Sequence, residues 1–283
     1  MSNWSETFFQ TNGFNIHHKR TGNNTVPLVS LSGSMSDEAC RPPTARVLAE
    51  ENDVIITDAR VHGLSSMHRT GYQYEYLAND IVMMIKALRL SPPVLIGNSM
   101  EVIMTAVVLI TQPHLLRGVT LADPIASCSN VQQENNEREI AKNCRQILNH
   151  LLEKLIRDTQ TMSPHRPLKM IKHLTVTQAQ TSLRAFGVLN LPNPDFRLLV
   201  KATKKPGLII LAKENGVSSA VAEELQLLNS RLHVYLIQST AQGLHSDPPE
   251  QFSKIVKTFL RTLAPSFVQK YIDHPVHPPS RLH

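Results

Sequence analysis

The chain has 283 residues and 41% apolar content, enough for one large domain or a domain carrying an insertion. Its formal charge of +6 is spread out, with no basic run beyond pairs such as Lys204-Lys205 and no aromatic–basic interleaving, which argues against a nucleic-acid partner. Cys40, Cys128 and Cys144 are odd in number and form no C-x-x-C, so no disulfide framework, zinc site or other metal cluster is expected. A reducing, cytoplasmic setting fits, and no apolar signal core opens the chain. The most apolar long stretch, Val94 to Ile110, is interrupted by Asn98, Ser99 and Glu101. It is shorter than the roughly 20 residues of a membrane span, so no membrane partner is expected.

Taken in order, Phe8 to Thr11 and Phe14 to His17 flank Asn12-Gly13, a hairpin signal because a type I′ turn needs positive φ at both central residues. Val26 to Leu31 reads as a buried strand ending in Ser32-Gly33-Ser34. Thr44 to Glu51 has helical spacing, and Val54 to Thr57 is a second buried strand ending at Asp58. Tyr76 to Leu90 predicts an amphipathic helix with Leu77, Ile81, Met84, Ile85 and Leu88 on one face. Val94 to Gly97 is a strand, Met100 to Thr111 a helix stopped by Pro113, and Gly118 to Ala122 a strand closed by Asp123-Pro124. Alternating helices and near-continuous apolar strands predict a parallel sheet covered on both faces.

The alternation breaks at about Ile125. A polar stretch over 126–138 precedes helical patterns over Arg138 to Thr161 and Lys169 to Leu189. These predict a helical insertion over 126–200 between two parts of one core, 1–125 and 201–266. The core pattern resumes with a strand at Gly207 to Leu211, a helix at Val217 to Leu228, a strand at Leu232 to Ile237 and a helix at Phe252 to Leu263. Residues 267–283 are Pro/His-rich and read as a loose tail.

The chemistry centres on Gly97-Asn98-Ser99-Met100-Glu101. A strand, a tight turn carrying a serine and an apolar helix form the pattern of a nucleophile elbow, G-x-S-x-G, with Glu101 in place of the second glycine. Three further stretches share the order and spacing of one family. They are Leu28 to Gly33, Thr57 to Ser66 (where the family has D-x-R-G-H-G-x-S) and Leu244 to Phe252. On these four stretches the chain resembles the α/β-hydrolase superfamily, in particular esterase- and lactonase-like members with a helical cap, over roughly residues 5–263.

The resemblance implies an α/β fold with a mostly parallel sheet, a cap insertion and a Ser–acid–His order. It puts the nucleophile at Ser99. The acid position, in the turn after the next-to-last strand, holds Asn215, and the histidine position holds Gln242. It also implies oxyanion donors at the backbone N–H groups of Ser34 and Met100, and a loop-holding role for His62. An asparagine favours the wrong imidazole tautomer, and a glutamine amide does not titrate near neutral pH. The expectation is therefore a protein of serine ester- or lactone-hydrolase ancestry with impaired or absent activity. The alternative is an active hydrolase with a rebuilt triad of Ser99, Glu214 and His245. No cofactor is implied, and a small-molecule ligand under the cap is the expected partner.

Overall fold

The computed structural model describes residues 4–11, 13–32, 43–60, 64–66, 73–98, 101–124, 156–157, 160–161, 168–169, 171–172, 195–212, 219–237 and 249–263. Most of the expected insertion, and the tail, lie outside the described residues.

Strands β1 (Ser5–Thr11) and β2 (Phe14–Arg20) pair antiparallel from Thr11↔Phe14, as the Asn-Gly signal predicts, and Gly13 takes the φ of +82° that such a turn needs. Strands β3 (Pro27–Ser32), β4 (Asp53–Asp58), β5 (Val94–Asn98), β6 (Gly118–Ala122), β7 (Gly207–Ala212) and β8 (Leu232–Ile237) follow. All join one eight-stranded sheet in the order β1-β2-β4-β3-β5-β6-β7-β8. β2 meets β4 antiparallel, and every pairing from β4 to β8 is parallel.

The strands are apolar on both faces because each face is covered. Val29, Ile55, Leu95, Val119 and Ile209 lie in one core cluster. Their strand neighbours Leu28, Val54, Ile56, Val94, Ile96, Leu208 and Ile210 lie in a second. This is the period-2 alternation of a pleated strand carried into two cores. Helices α2 (Tyr74–Ala87) and α3 (Glu101–Thr111) cover the first, with α2 turning Leu77, Ile81, Met84 and Ile85 inward on the predicted stripe. Helices α1 (Pro43–Leu48) and α6 (Pro249–Thr262) cover the second, α6 through Phe252, Val256 and Phe259.

Helix α4 (Phe196–Ala202) is absent from the sequence expectation. Asp195 caps it by accepting the Arg197 N–H at 2.9 Å, and Phe196 and Val200 join the first core. Its seven residues cover about two turns, short of the roughly 11 residues over which a helical pattern can be read with assurance. Helix α5 (Ser219–Leu228) packs beside it, and Arg197 binds Glu224 across the pair.

Two polar clusters fasten the antiparallel edge to β4. Arg20 holds Asp53 through Nε and a terminal nitrogen at 2.7–3.2 Å, and Asp53 also accepts the Gly22 N–H. At the other end of β4, His17 Nδ1 lies 2.9 Å from Asp58 Oδ2, and Nε2 lies 2.8 Å from Glu6 Oε1. With a carboxylate oxygen on each ring nitrogen, both nitrogens donate, which is the imidazolium form. Burial opposes that charge, but Asp58 and then Glu6 outweigh it and hold the His17 pKa above its ordinary 6.5. Ser65 Oγ accepts the His17 backbone N–H at 2.9 Å and donates to the Asp58 carbonyl at 3.0 Å. The loop after β4 is thereby tied to β2.

Two outcomes follow from these contacts. A Cβ at Gly97 would lie 2.5 Å from Thr105 Oγ1 and 2.7 Å from the Glu101 carbonyl oxygen. Gly97→Ala should therefore cost about 1–3 kcal/mol and lower Tm by roughly 2–10 °C in a thermal melt; an unchanged Tm would contradict this packing. For His17, the raised folded-state pKa means that its contribution is complete below about pH 6.5 and is lost as pH rises through the folded value. His17→Gln should cost about 3–5 kcal/mol near pH 6, because it leaves the buried Asp58 charge without its partner. In urea unfolding, the stability gap between wild type and variant should narrow from about pH 6.5 upward. A gap that stays constant with pH would refute the imidazolium assignment. His18, whose pKa is lowered by burial and then by the His17 charge, should be replaced by Gln in both proteins so that its own titration does not enter the difference.

Candidate functional site

From β3 to β8 the strands are parallel, so their C-terminal ends meet at one edge, where ligands of open α/β sheets bind. In register, Ser32 faces Asp58, Asn98 faces Ala122, Ala122 faces Ile210, and Ala212 faces Ile237. The candidate residues all follow strands that end here. Ser34 comes two positions after β3, and His62 four after β4. Ser99 and Met100 fill the whole gap between Asn98 at the end of β5 and Glu101 at the start of α3. Glu214 and Asn215 follow β7, while Gln242 and His245 follow β8. These eight residues lie outside the described residues, so the topology orders their attachment points without giving distances among their side chains.

The frame of the elbow is described. β5 hands over to α3 within two residues, and Gly97 lies against the Glu101 backbone. The close approach therefore depends on the missing Cβ at Gly97. Glu101 is half-buried in the first turn of α3, where the helix dipole favours a carboxylate. At this junction, Asn98 Oδ1 and Thr105 Oγ1 are buried with no hydrogen-bond partner among the described residues, as is Thr120 Oγ1 on β6.

Asp123, next after the end of β6, adopts φ +50°, the left-handed region that Asp tolerates better than most residues. Its N–H donates to the Ile210 carbonyl at 2.8 Å. The sequence marks Asp123-Pro124 only as a strand end; Asp123 directly follows Ala122, which faces Asn98.

Two other polar groups near this edge are structural. Asp58 is fully buried, and its Oδ2 receives both His17 and the Leu64 N–H at 3.0 Å. Arg60, from the D-x-R motif, grips Asp80 of α2 with two bonds of 2.7 Å and stacks 4.7 Å from the Phe14 ring centre. Burial holds the Asp80 carboxyl above its usual pKa, opposed but not cancelled by Arg60. Asp58, Arg60 and Asp80 line a cavity of about 30 Å³ together with Leu77, Ile81 and Met104. One water needs about 10–15 Å³, so this space suits a water or two and no substrate. Sequence reasoning missed His17 and Asp80, whose partners are 41 and 20 positions away. Among the described residues, no group of three or more His, Cys, Asp or Glu side chains could hold a metal, and no helix is long and apolar enough to cross a membrane.

No protein-family model matches the chain. A 2-(acetamidomethylene)succinate hydrolase of Mesorhizobium japonicum is 30% identical over 110 residues, 38% of this chain and 38% of that protein. A provisionally named esterase/lipase of Haemophilus influenzae is 31% identical over 87 residues, 31% of this chain and 30% of its own length. These matches thus span only 30% and 38% of the two relatives' own lengths. Among solved structures, E-2-(acetamidomethylene)succinate hydrolase superposes with a TM-score of 0.74 at 18% identity, covering 92% of this chain and 100% of that one. An esterase from Exiguobacterium antarcticum gives a TM-score of 0.73 at 19% identity over 91% of this chain and 100% of that one. The mixed, mostly parallel eight-stranded sheet, its helices on both faces and this similarity over nine-tenths of its length show that the chain has the α/β-hydrolase fold.

Proposed function

We propose that this is an α/β-hydrolase-fold protein of serine ester- or lactone-hydrolase ancestry whose hydrolytic activity is impaired or lost. One observation carries the reading. The turns after β5, β7 and β8 leave the same sheet edge in the Ser–acid–His order, and the residues aligned with those roles are Ser99, Asn215 and Gln242. Serine is a weak nucleophile at neutral pH without a base. Glutamine accepts no proton there, and asparagine supplies no negative charge to steady an imidazolium. What is described is the frame, with β5 ending at Asn98 and α3 beginning at Glu101.

A second reading is favoured by the hydrolase names of the similar proteins: an active enzyme using Ser99 with Glu214 and His245. Glu214 is one position from the aligned acid, and His245 is three past the aligned histidine. In that reading the imidazole takes the Ser99 proton as the hydroxyl oxygen attacks an acyl carbon. The N–H groups of Ser34 and Met100 then receive the oxyanion.

A fluorophosphonate probe separates the two. The first reading expects no stoichiometric labelling of the wild type over the background seen in Ser99→Ala. Rapid labelling that disappears in Ser99→Ala and in His245→Gln establishes the second. Under the first reading, Asn215→Asp combined with Gln242→His should raise p-nitrophenyl acetate hydrolysis by roughly a hundredfold in a Ser99-dependent manner. A folded double variant with unchanged turnover would show the two positions to be misassigned.

A further inference from the structure

We infer that the groove at the opposite end of the sheet binds a small organic anion, an acid group carried on a short apolar body. Val26 precedes β3, Asn52 precedes β4 and Arg117 precedes β6, so this groove lies at the N-terminal ends of the parallel strands. Strands of five or six residues put it about 17–20 Å from the elbow edge, too far to be part of the same pocket.

Its volume is about 200 Å³, against the 10–15 Å³ that one water requires, so it can take a small molecule. Val26, Leu260 and Leu263 supply an apolar surface, and Arg117, Lys257 and Arg261 supply positive charge. Lys257 Nζ is held at 2.9 Å by Glu51 and at 3.3 Å by Glu50, so its charge already has partners. Arg261 acts on Glu51 only through space. Arg117 has no acid partner among the described residues, and its backbone is fixed by its N–H to the Pro93 carbonyl at 2.9 Å. Glu50 and Glu51 therefore do not balance the three cations, and the surplus rests on two guanidinium groups. A planar fork of donors matches a carboxylate or phosphate group, which both present at least two oxygens. The adjoining surface of Val26, Leu260 and Leu263 would hold the apolar body, which a bare inorganic ion lacks. The inference does not depend on whether Ser99 is catalytically active.

Isothermal titration calorimetry on the full chain at low salt tests the inference, with hexanoate and hexyl phosphate as probes. At least one should bind saturably with one-to-one stoichiometry, and the tighter of the two identifies the acid group. Neutral 1-hexanol and inorganic phosphate should each bind at least tenfold more weakly, and Arg117→Gln with Arg261→Gln should weaken the better probe at least tenfold. Arg261→Gln alone, on an exposed side chain, should weaken it at least threefold, which keeps the test decisive if the double variant does not fold. Absence of saturable binding, equal affinity for 1-hexanol, or an affinity unchanged by the arginine substitutions overturns the inference.

Discussion

The contact between Gly97 and the first turn of α3 sets the geometry of the sheet edge at the C-terminal ends of the parallel strands. β5 sits between β3 and β6 inside the sheet, and α3 must lie close enough to be entered after only two residues. Absence of a Cβ at position 97 permits that approach, with the Glu101 carbonyl and the Thr105 hydroxyl against the strand. The helix is held there by burial: Val102, Ile103, Met104, Ala106, Val108 and Leu109 are all nearly inaccessible. Such burial contributes of the order of 1.5–3 kcal/mol per large apolar side chain. A glycine at 101 is not required, because the close approach there is made by backbone.

Around this frame, the ionisable groups near the edge are mostly engaged in holding structure. Asp58 faces His17, Asp80 faces Arg60, and Asp53 at the far end of β4 faces Arg20. Each is a buried or largely buried acid that would be costly without its cation. The D-x-R stretch and its following serine thus act as a clasp between β2, β4 and α2. Ser65 is a hydrogen-bond relay between backbone groups of β2 and β4, not a reactive hydroxyl.

The similarity to solved hydrolases at 18–19% identity belongs to the scaffold. Cores tolerate wide apolar replacement while volume and pattern are kept, so a sheet of this kind persists through extensive sequence change. Proton transfer has no such tolerance. It depends on a titrating atom at hydrogen-bond distance, and one carboxylate-to-amide or imidazole-to-amide exchange removes it. Fold and activity can therefore separate in a single lineage, and function has to be argued from the site residues.

Much of the architecture was legible along the chain because it rests on local physics. The Asn12-Gly13 hairpin, the apolar strands and the α2 stripe through Leu77, Ile81 and Met84 are periodicities and turn chemistries within a few residues. The junction of β5 and α3 was legible for the same reason, since only two residues separate the strand from the helix. Helix α4 was not, being only about two turns long and stabilised by packing of Phe196 and Val200 on distant elements. Nor were the partners of His17, Arg20 and Arg60, which lie 41, 33 and 20 positions away. A local pattern specifies which face of an element is apolar. Which charged group meets which, and therefore which carboxylates near the edge are already engaged, depends on strand order and register across the folded sheet.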